Sequence, residues 1–300
     1  MPSVKKFLAV VFLAVVTACV TTPVSKKSAF IMIPMRQEIS LGKQAYNQIL
    51  EKEKDSEDKE MAALVERIGQ RIAAVSAMPD LEWEFRLIES KQQNAFALPG
   101  GKVAVYTGLL PVAMNEAGLA TVMSHEIAHV IARHGAQRMT QQLILTAGLM
   151  ATAISLEDNN QKNMIMAALG VGLTYGFTLP FSRSNEAEAD QIGLVYMARA
   201  GYDPNEAVRF WKRFTDDKGG QQIPEFLSTH PADQTRITRL GRYLPTANLK
   251  YSRLKVKYGL GQTLDHKEPA EPEDQEDEEP ARPRPVPGVS VETLTRSDLP

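Results

Sequence analysis

Cysteine is almost absent from this chain of 300 residues, because Cys19 is its only cysteine. A single cysteine excludes an intramolecular disulfide, so the stability of the fold has to come from buried apolar side chains. An excess of charge of one sign is also lacking: the formal net charge is −2, and it gives no indication of a nucleic-acid partner. Apolar sequence is sufficient for a core, since 43% of the residues are hydrophobic.

Hydrophobic runs long enough to cross a bilayer comfortably are also scarce. Near the start, two lysines precede the short apolar run FLAVVFLAVV, and the sequence then reads Val-Thr-Ala-Cys, which resembles the lipobox of bacterial lipoproteins. We predict that residues 1–18 are a lipoprotein signal peptide, that Cys19 is acylated and that residues 19–36 form a tether. The residue after the cysteine is Val20 rather than aspartate, which by resemblance to bacterial sorting rules favours the outer membrane, facing the periplasm of a bacterial envelope. An uncleaved N-terminal anchor is the alternative.

Two later segments have unusual compositions. Residues 143–181 hold two apolar stretches separated by EDNNQKN, and the second contains three glycines and a proline. We predict a helical hairpin or lid on the domain, with a paired membrane crossing as the alternative. Residues 263–300 are rich in proline and acidic side chains, which predicts a disordered tail, with a spacer or interaction tail as the functional alternative.

The remaining chain, residues 37–262, has the patterns of a folded domain. Apolar residues recur at helical spacing in 37–50 and 59–75, and residues 83–87 alternate with the period of a strand. Residues 94–106 contain adjacent glycines between two extended stretches, which predicts a hairpin beside that strand. The expected fold class is therefore α+β, mostly helical, with a small β-sheet.

The segment HEIAH is the most informative motif. His125 and His129 are four residues apart and share one face of a helix, where two imidazoles can bind one metal ion. Glu126 beside them is placed to take a proton from metal-activated water, the pattern of zinc-dependent peptidases. Asn115 is the predicted N-cap of this helix and Gly135 its predicted stop. The alternative is a core helix whose histidines and glutamate find separate partners.

A catalytic zinc ion needs a third protein ligand, and SNEAEAD offers one. Asn185 and Glu188 have the spacing of a capping box, which predicts a helix that starts there and runs to residue 200. Glu186 and Asp190 would then share a face, so that Glu186 binds zinc and Asp190 accepts the outer N–H of a ligand histidine. The alternative is that these acids stabilise the start of the helix, which would suit Glu188 well.

Two further histidines are candidate ligands. His134 lies five residues after His129, about 140° around a continuous helix, so we predict a helix-end residue rather than a ligand. His230 precedes a proline, and a histidine in that position is typical of a turn.

Four segments together resemble one family: HEIAHVIARH, NAFALPGGKVAVYTGLL, SRSNEAEAD and the Ser-Thr-His-Pro sequence at 228–231. The chain resembles the HtpX- and prenyl-protease-related gluzincin peptidases. Among them it resembles the soluble BepA- and LoiP-like lipoprotein and periplasmic members and the mitochondrial Oma-type quality-control protease. The resemblance covers about residues 37–243 and implies a zincin-like fold with one zinc ion per chain. It implies that Glu126 is the general base and that Asp190 accepts the outer N–H of a ligand histidine. The zinc ligands that it implies are His125, His129 and Glu186.

The resemblance also gives roles to residues outside the metal ligands. It places His230 at the active site, either stabilising the oxyanion or occupying zinc's open position, and it suggests that Arg236 supports that loop or a carboxylate. A solvent-facing Arg236 is equally compatible with the sequence. A strand edge near the metal helix would hold an extended peptide, with a purely structural sheet as the alternative. The residues of this edge are Asn94, Ala95, Phe96 and Ala97.

We therefore expect a zinc-dependent endopeptidase that hydrolyses misfolded or stalled envelope proteins in periplasmic and outer-membrane quality control. Its partners would be protein substrates and, through the lipid anchor, a membrane. The competing class is a chaperone or assembly factor for outer-membrane proteins with a structural zinc site. Glu126 argues against it, because a structural site needs no base. A cytoplasmic metalloprotein would require that residues 1–18 are retained and Cys19 is not acylated.

Overall fold

The computed structural model describes residues 19–155, 179–216, 226, 230, 234–261, 263 and 264. The predicted signal peptide at 1–18, much of the predicted apolar hairpin at 143–181, and the predicted tail from 265 onward lie outside these residues. Within the described ranges, no helix is both long and apolar enough to cross a membrane.

Helices dominate the described chain, which confirms the predicted α+β, mostly helical class. The helices are α1 (Met35–Leu50), α2 (Lys59–Ala74), α3 (Leu110–Ala113), α4 (Glu116–Ile131), α5 (His134–Ser155), α6 (Leu179–Arg199), α7 (Asn205–Asp216) and α8 (Gln234–Ser252). The strands are β1 (Cys19–Thr21), β2 (Ser28–Phe30), β3 (Glu84–Ile88), β4 (Ala95–Leu98) and β5 (Lys102–Tyr106).

Strands β3, β4 and β5 form one sheet in the order β3-β5-β4. The predicted hairpin is confirmed: β4 and β5 are antiparallel and joined through Gly100 and Gly101, whose φ angles of +91° and +83° suit glycine. Strand β3 lies parallel to β5 on the other side. Strand β4 therefore pairs with β5 on one side and forms an edge of this sheet.

Helix α4 runs through the middle of the core, because its sequence is apolar on nearly every side. All of its residues except His129 are buried. Helix α2 packs against it through a face that includes Val65, Ile68 and Ile72, and each such buried side chain stabilises the fold by about 1.5–3 kcal/mol. The most extensive contact between two described elements joins α4 to α6.

Helix α4 does not continue to Gly135, so the predicted glycine stop is wrong. The chain turns at Arg133, which has a φ of +56°, and α5 begins at the next residue. This conformation is uncommon for arginine and has to be held by its surroundings. The Arg133 side chain donates to Glu38 Oε2 at 2.7 Å and to the Ile33 carbonyl at 2.9 Å.

The N-terminal segment is folded onto the domain, which differs from the predicted tether at 19–36. Strands β1 and β2 pair in an antiparallel hairpin. Ala29 and Ile31 are buried and pack against Ala136 of α5. Met32 is fixed through its backbone N–H, which donates to the Thr140 hydroxyl at 3.0 Å. The hairpin and the start of α5 therefore share a small apolar cluster of their own.

Helix α6 begins at Leu179, before the predicted N-cap Asn185, so that boundary is wrong. Glu186 and Glu188 consequently lie inside the helix, and the alternative that they stabilise a helix start does not apply. The other end agrees with the sequence, because Gly201 ends the helix with a φ of +91°.

Candidate active site

Helix α4 places His125, Glu126 and His129 in the core. Its first turn is capped as predicted, since Asn115 Oδ1 accepts a hydrogen bond from the Gly118 N–H at 2.8 Å. The Nε2 atoms of His125 and His129 are 3.1 Å apart. The four-residue spacing has therefore brought two imidazole nitrogens to one point, as the motif predicts.

Glu186 reaches the same point from α6. Its Oε2 lies 3.2 Å from His125 Nε2, and its Oε1 lies 3.3 Å from His129 Nε2. Asp190, one turn further along α6, faces the other nitrogen of His125. The predicted common face of Glu186 and Asp190 is thus the face that meets α4.

His230 is the fourth member of this group. Its Nδ1 lies 2.9 Å from Glu186 Oε2 and 3.2 Å from His125 Nε2. The ligand atoms of His125, His129, Glu186 and His230, here called the ligand cluster, all lie within 4.8 Å of one another. Of the two roles that the sequence leaves open for His230, this position favours metal ligation.

The ligand cluster fits a zinc ion. Zinc bound tetrahedrally at about 2.0–2.1 Å holds its ligand atoms about 3.3 Å apart, and the neighbouring atoms of the cluster are separated by 2.9 to 3.3 Å. Three imidazole nitrogens and one carboxylate are also a donor set that zinc prefers. The ligand roles of these residues remain predictions.

Glu126 is buried beside the cluster, with 3% of its surface exposed. Its Oε1 has no hydrogen-bond partner among the described residues, and His230 Nε2 lies 3.4 Å from it. Burial raises the pKa of Glu126 above its usual range. A carboxylate with a raised pKa, aimed at the cluster, is suited to accept a proton from water there.

Asp190 and Arg236 fix His125 from behind. Asp190 Oδ1 lies 3.2 Å from His125 Nδ1, and Arg236 donates to the same oxygen at 2.6 Å. Both side chains are 1% exposed, and the Arg236 guanidinium lies 3.5 Å over the Trp211 ring. Burial acts to raise the pKa of Asp190, but Arg236 and His125 outweigh it and hold that pKa below its usual range. The solvent-facing alternative for Arg236 is therefore wrong.

His134 has a closer relation to the site than the sequence predicts. Its Nδ1 lies 2.9 Å from His129 Nδ1, and its Nε2 lies 3.5 Å from Glu188 Oε2. It is outside the ligand cluster, as predicted, but it is not merely a helix-end residue. The prediction fails because it extends α4 as a straight helix past Arg133, where the chain actually turns.

A cleft lies between strand β4 and the start of α5. It is lined by the predicted substrate-binding stretch Asn94, Ala95, Phe96 and Ala97, and also by Glu126, His129 and His230. An edge strand beside Glu126 is a suitable place for an extended peptide to pair. Substrate binding by these residues stays a prediction. Cys19, the predicted acylation site, is exposed at the start of β1.

Gly193 lets α6 approach α4 closely enough to form the site. A Cβ atom at this position would lie 2.9 Å from the Ser124 carbonyl oxygen, too close for ordinary contact. We expect Gly193→Ala to lower the free energy of unfolding by about 1–3 kcal/mol, and to weaken metal binding by displacing Glu186. Urea denaturation and metal titration measure the two effects.

Gly148→Ala is the matched control for that substitution. Gly148 lies in α5 with open space around its Cβ position, so alanine there should raise stability slightly and leave metal binding unchanged. If the Gly193→Ala variant is as stable as the unmodified chain, α6 does not approach α4 as closely at Gly193 as the structure shows.

The chain is similar in sequence to several known peptidases. The profile of peptidase family M48 matches residues 59–244. The chain is 36% identical over 233 residues to the mitochondrial metalloendopeptidase OMA1 of Schizosaccharomyces pombe, covering 76% of this chain and 67% of that protein. It is 32% identical over 274 residues to the protein of the same name from Saccharomyces cerevisiae, covering 83% and 77%. It is 28% identical to the beta-barrel assembly-enhancing protease of Escherichia coli, covering 72% and 46%.

These relatives correct the predicted location. An outer-membrane lipoprotein facing a bacterial periplasm is wrong, because relatives from fungi, a plant and animals at 32–36% identity are named mitochondrial metalloendopeptidases. The prediction depended on one short basic and apolar run with a few residues after it. Targeting segments of different compartments share those features, so the run alone does not determine a location.

Proposed function

The chain belongs to peptidase family M48, and on that premise we propose that its metal ion is zinc and that it degrades misfolded or stalled proteins. It is a metal-dependent endopeptidase, so its substrates are proteins. The observation that carries the choice of zinc is the ligand cluster, whose spacing and donor set suit a tetrahedral ion.

The roles of the chain's own residues follow from the geometry. A zinc ion held by His125, His129 and Glu186 would polarise the scissile carbonyl and lower the pKa of the attacking water. Glu126 takes a proton from that water and delivers it to the leaving amine. His129 would bind as the neutral ring, because only an unprotonated imidazole nitrogen has a lone pair for the metal.

His230 is proposed to keep the site closed. As a fourth ligand it fills the position that the substrate's carbonyl or the water needs, so it has to move before cleavage. Its Nε2 lies on the Glu126 side of the cluster, at 3.4 Å from that carboxylate. Once displaced from the cluster, the same ring can donate to the oxyanion that develops during attack.

Strand β4 and the exposed face of α5 both suit an unfolded client. Strand β4 offers main-chain pairing, which tolerates varied side chains. Helix α5, which begins at the cleft, carries large apolar residues that are about half exposed: Leu143, Ile144 and Met150. Such residues suit a client with exposed apolar sequence, which supports a quality-control role. A chaperone function without cleavage is disfavoured by Glu126, since holding a client needs no base.

We also propose that the peptidase domain includes residues 37–262, as the sequence predicts, together with the first residues of α1 and the N-terminal hairpin packed on α5. The family match begins at residue 59, but α1 precedes it and packs against β4 and β5. Gly42 of α1 lies against the Pro99 backbone so closely that any side chain would collide. Helix α1 therefore belongs to the same packed unit as the site.

Metal removal tests the proposed cofactor. We expect dialysis against a strong chelator to abolish casein cleavage, and one equivalent of zinc per chain to restore it, because His125, His129 and Glu186 bind a single ion. Metal analysis before and after dialysis, with cleavage measured on the same samples, checks both parts. Full cleavage by a metal-free sample would contradict the proposed mechanism.

A further inference from the structure

A second group of buried polar residues lies directly behind the ligand cluster. His134 and Glu188 are each 3% exposed, and so is Thr22 of the N-terminal hairpin. Thr22 Oγ1 and Ser25 Oγ both donate to Glu188 Oε1 at 2.5 Å. Lys27 Nζ lies 3.3 Å from Glu188 Oε2. The turn between β1 and β2, residues 22–27, therefore surrounds one carboxylate of α6.

The hydrogen-bonding capacities of these groups define one arrangement. His129 faces the ligand cluster with Nε2, so its proton is on Nδ1, 2.9 Å from His134 Nδ1. His134 Nδ1 must then accept, which places the proton of His134 on Nε2. That N–H faces Glu188 Oε2 at 3.5 Å, the outer limit of a hydrogen bond.

We propose that His134 and Glu188 are positioning residues that fix the tautomer and orientation of His129, and that the turn at residues 22–27 holds Glu188 in place. His125 has a carboxylate, Asp190, directly on its outer nitrogen. His129 reaches its carboxylate through one intervening imidazole. Partners of this kind keep a ligand histidine ready for the metal, and their loss typically weakens metal binding about 10- to 100-fold.

The contacts with Glu188 explain why the N-terminal hairpin is folded onto the domain. Its turn supplies two hydroxyls and one ammonium group to Glu188, and Lys27 also donates to the Ser184 hydroxyl at 2.6 Å. These contacts join residues more than 150 positions apart and attach the hairpin to α6. They therefore help to hold α6 where Glu186 reaches the ligand cluster. Removing the hydroxyls should therefore weaken metal binding without touching any ligand.

The inference rests on the proposed zinc site and is tested through zinc affinity in the full chain. We expect His134→Phe to weaken zinc binding about 10- to 100-fold in competition with a chelating dye, and to alter the visible spectrum of the cobalt-substituted protein. His134→Asn places an amide oxygen where Nδ1 accepted, so it should recover most of the affinity. These readouts do not depend on cleavage.

Thr140→Val is the matched control. Thr140 is 2% exposed on the same helix and bonds the N-terminal segment, but it does not contact His129. It should leave zinc affinity and the cobalt spectrum unchanged. If His134→Phe does not fold, Glu188→Gln and the pair Thr22→Val with Ser25→Ala provide the same test, with a loss near 10-fold expected.

The outcomes separate this inference from the proposed function. If the unmodified chain binds no zinc, the proposed metal site is wrong. If it binds zinc, but the His134→Phe and Glu188→Gln variants bind it equally well with unchanged cobalt spectra, the positioning role alone is overturned. Equal losses in the Thr140→Val control would assign the effect to general destabilisation and would also overturn it.

Discussion

Replacing Glu126 with glutamine is expected to reduce the rate of cleavage by about 10²–10⁴-fold while zinc remains bound. Glutamine has nearly the same shape but accepts no proton at neutral pH, so it removes the base and leaves the ligand cluster intact. Because burial raises the pKa of Glu126, charging it costs free energy, and the variant should be at least as stable as the unmodified chain. Cleavage of a fluorogenic casein, zinc content and thermal unfolding measure the three quantities.

Glu116→Gln is the control for that experiment. Glu116 is a second buried carboxylate on the same helix, and it accepts from Tyr202 at 3.0 Å and from Arg71 at 3.2 Å, far from the cleft. Its replacement should lower stability and leave cleavage by the folded protein unchanged. A Glu126→Gln variant that still cleaves at the normal rate would show that another group acts as the base.

The sequence predicts the site well where the relation between residues is local. His125, Glu126 and His129 fall together because a helix repeats every 3.6 residues, and the same periodicity places Glu186 and Asp190 on one face. The strand edge at 94–97 follows from alternation and two glycines. None of these inferences needs the tertiary structure.

The parts that the sequence does not predict depend on distant contacts. Arg133 turns the chain because Glu38, 95 residues earlier, and the Ile33 carbonyl hold its side chain. That turn, and not the helix period, brings His134 back to His129. The N-terminal hairpin resembles a tether in sequence because its strands have three residues each, and its position comes from Glu188 and from apolar contacts with α5.

Arg236→Met is expected to lower the free energy of unfolding by about 3 kcal/mol, the lower end of the range for breaking a buried ion pair, because Arg239 still contacts Asp190. The substitution removes the closer of two arginines from Asp190, which is 1% exposed, and leaves Arg239, whose Nη2 lies 3.4 Å from Asp190 Oδ2. Breaking the shorter ion pair of a buried carboxylate is among the costly changes in a core. It also removes the guanidinium from the Trp211 face. Urea denaturation of the metal-free protein measures the loss. Arg242→Met, on the exposed side of the same helix, should change stability by less than about 0.5 kcal/mol.

A second substitution distinguishes the charge from the packing. If the cost arises from the loss of the Arg236 ion pair to Asp190, adding Asp190→Asn to the Arg236→Met variant should recover part of the stability, because the amide carries no charge. The recovered protein should still bind zinc more weakly, since an amide holds the outer N–H of His125 less strongly than a carboxylate does. No recovery in the double variant would mean that Arg236 stabilises the fold mainly through its contact with Trp211, and that Arg239 is a sufficient cation for Asp190.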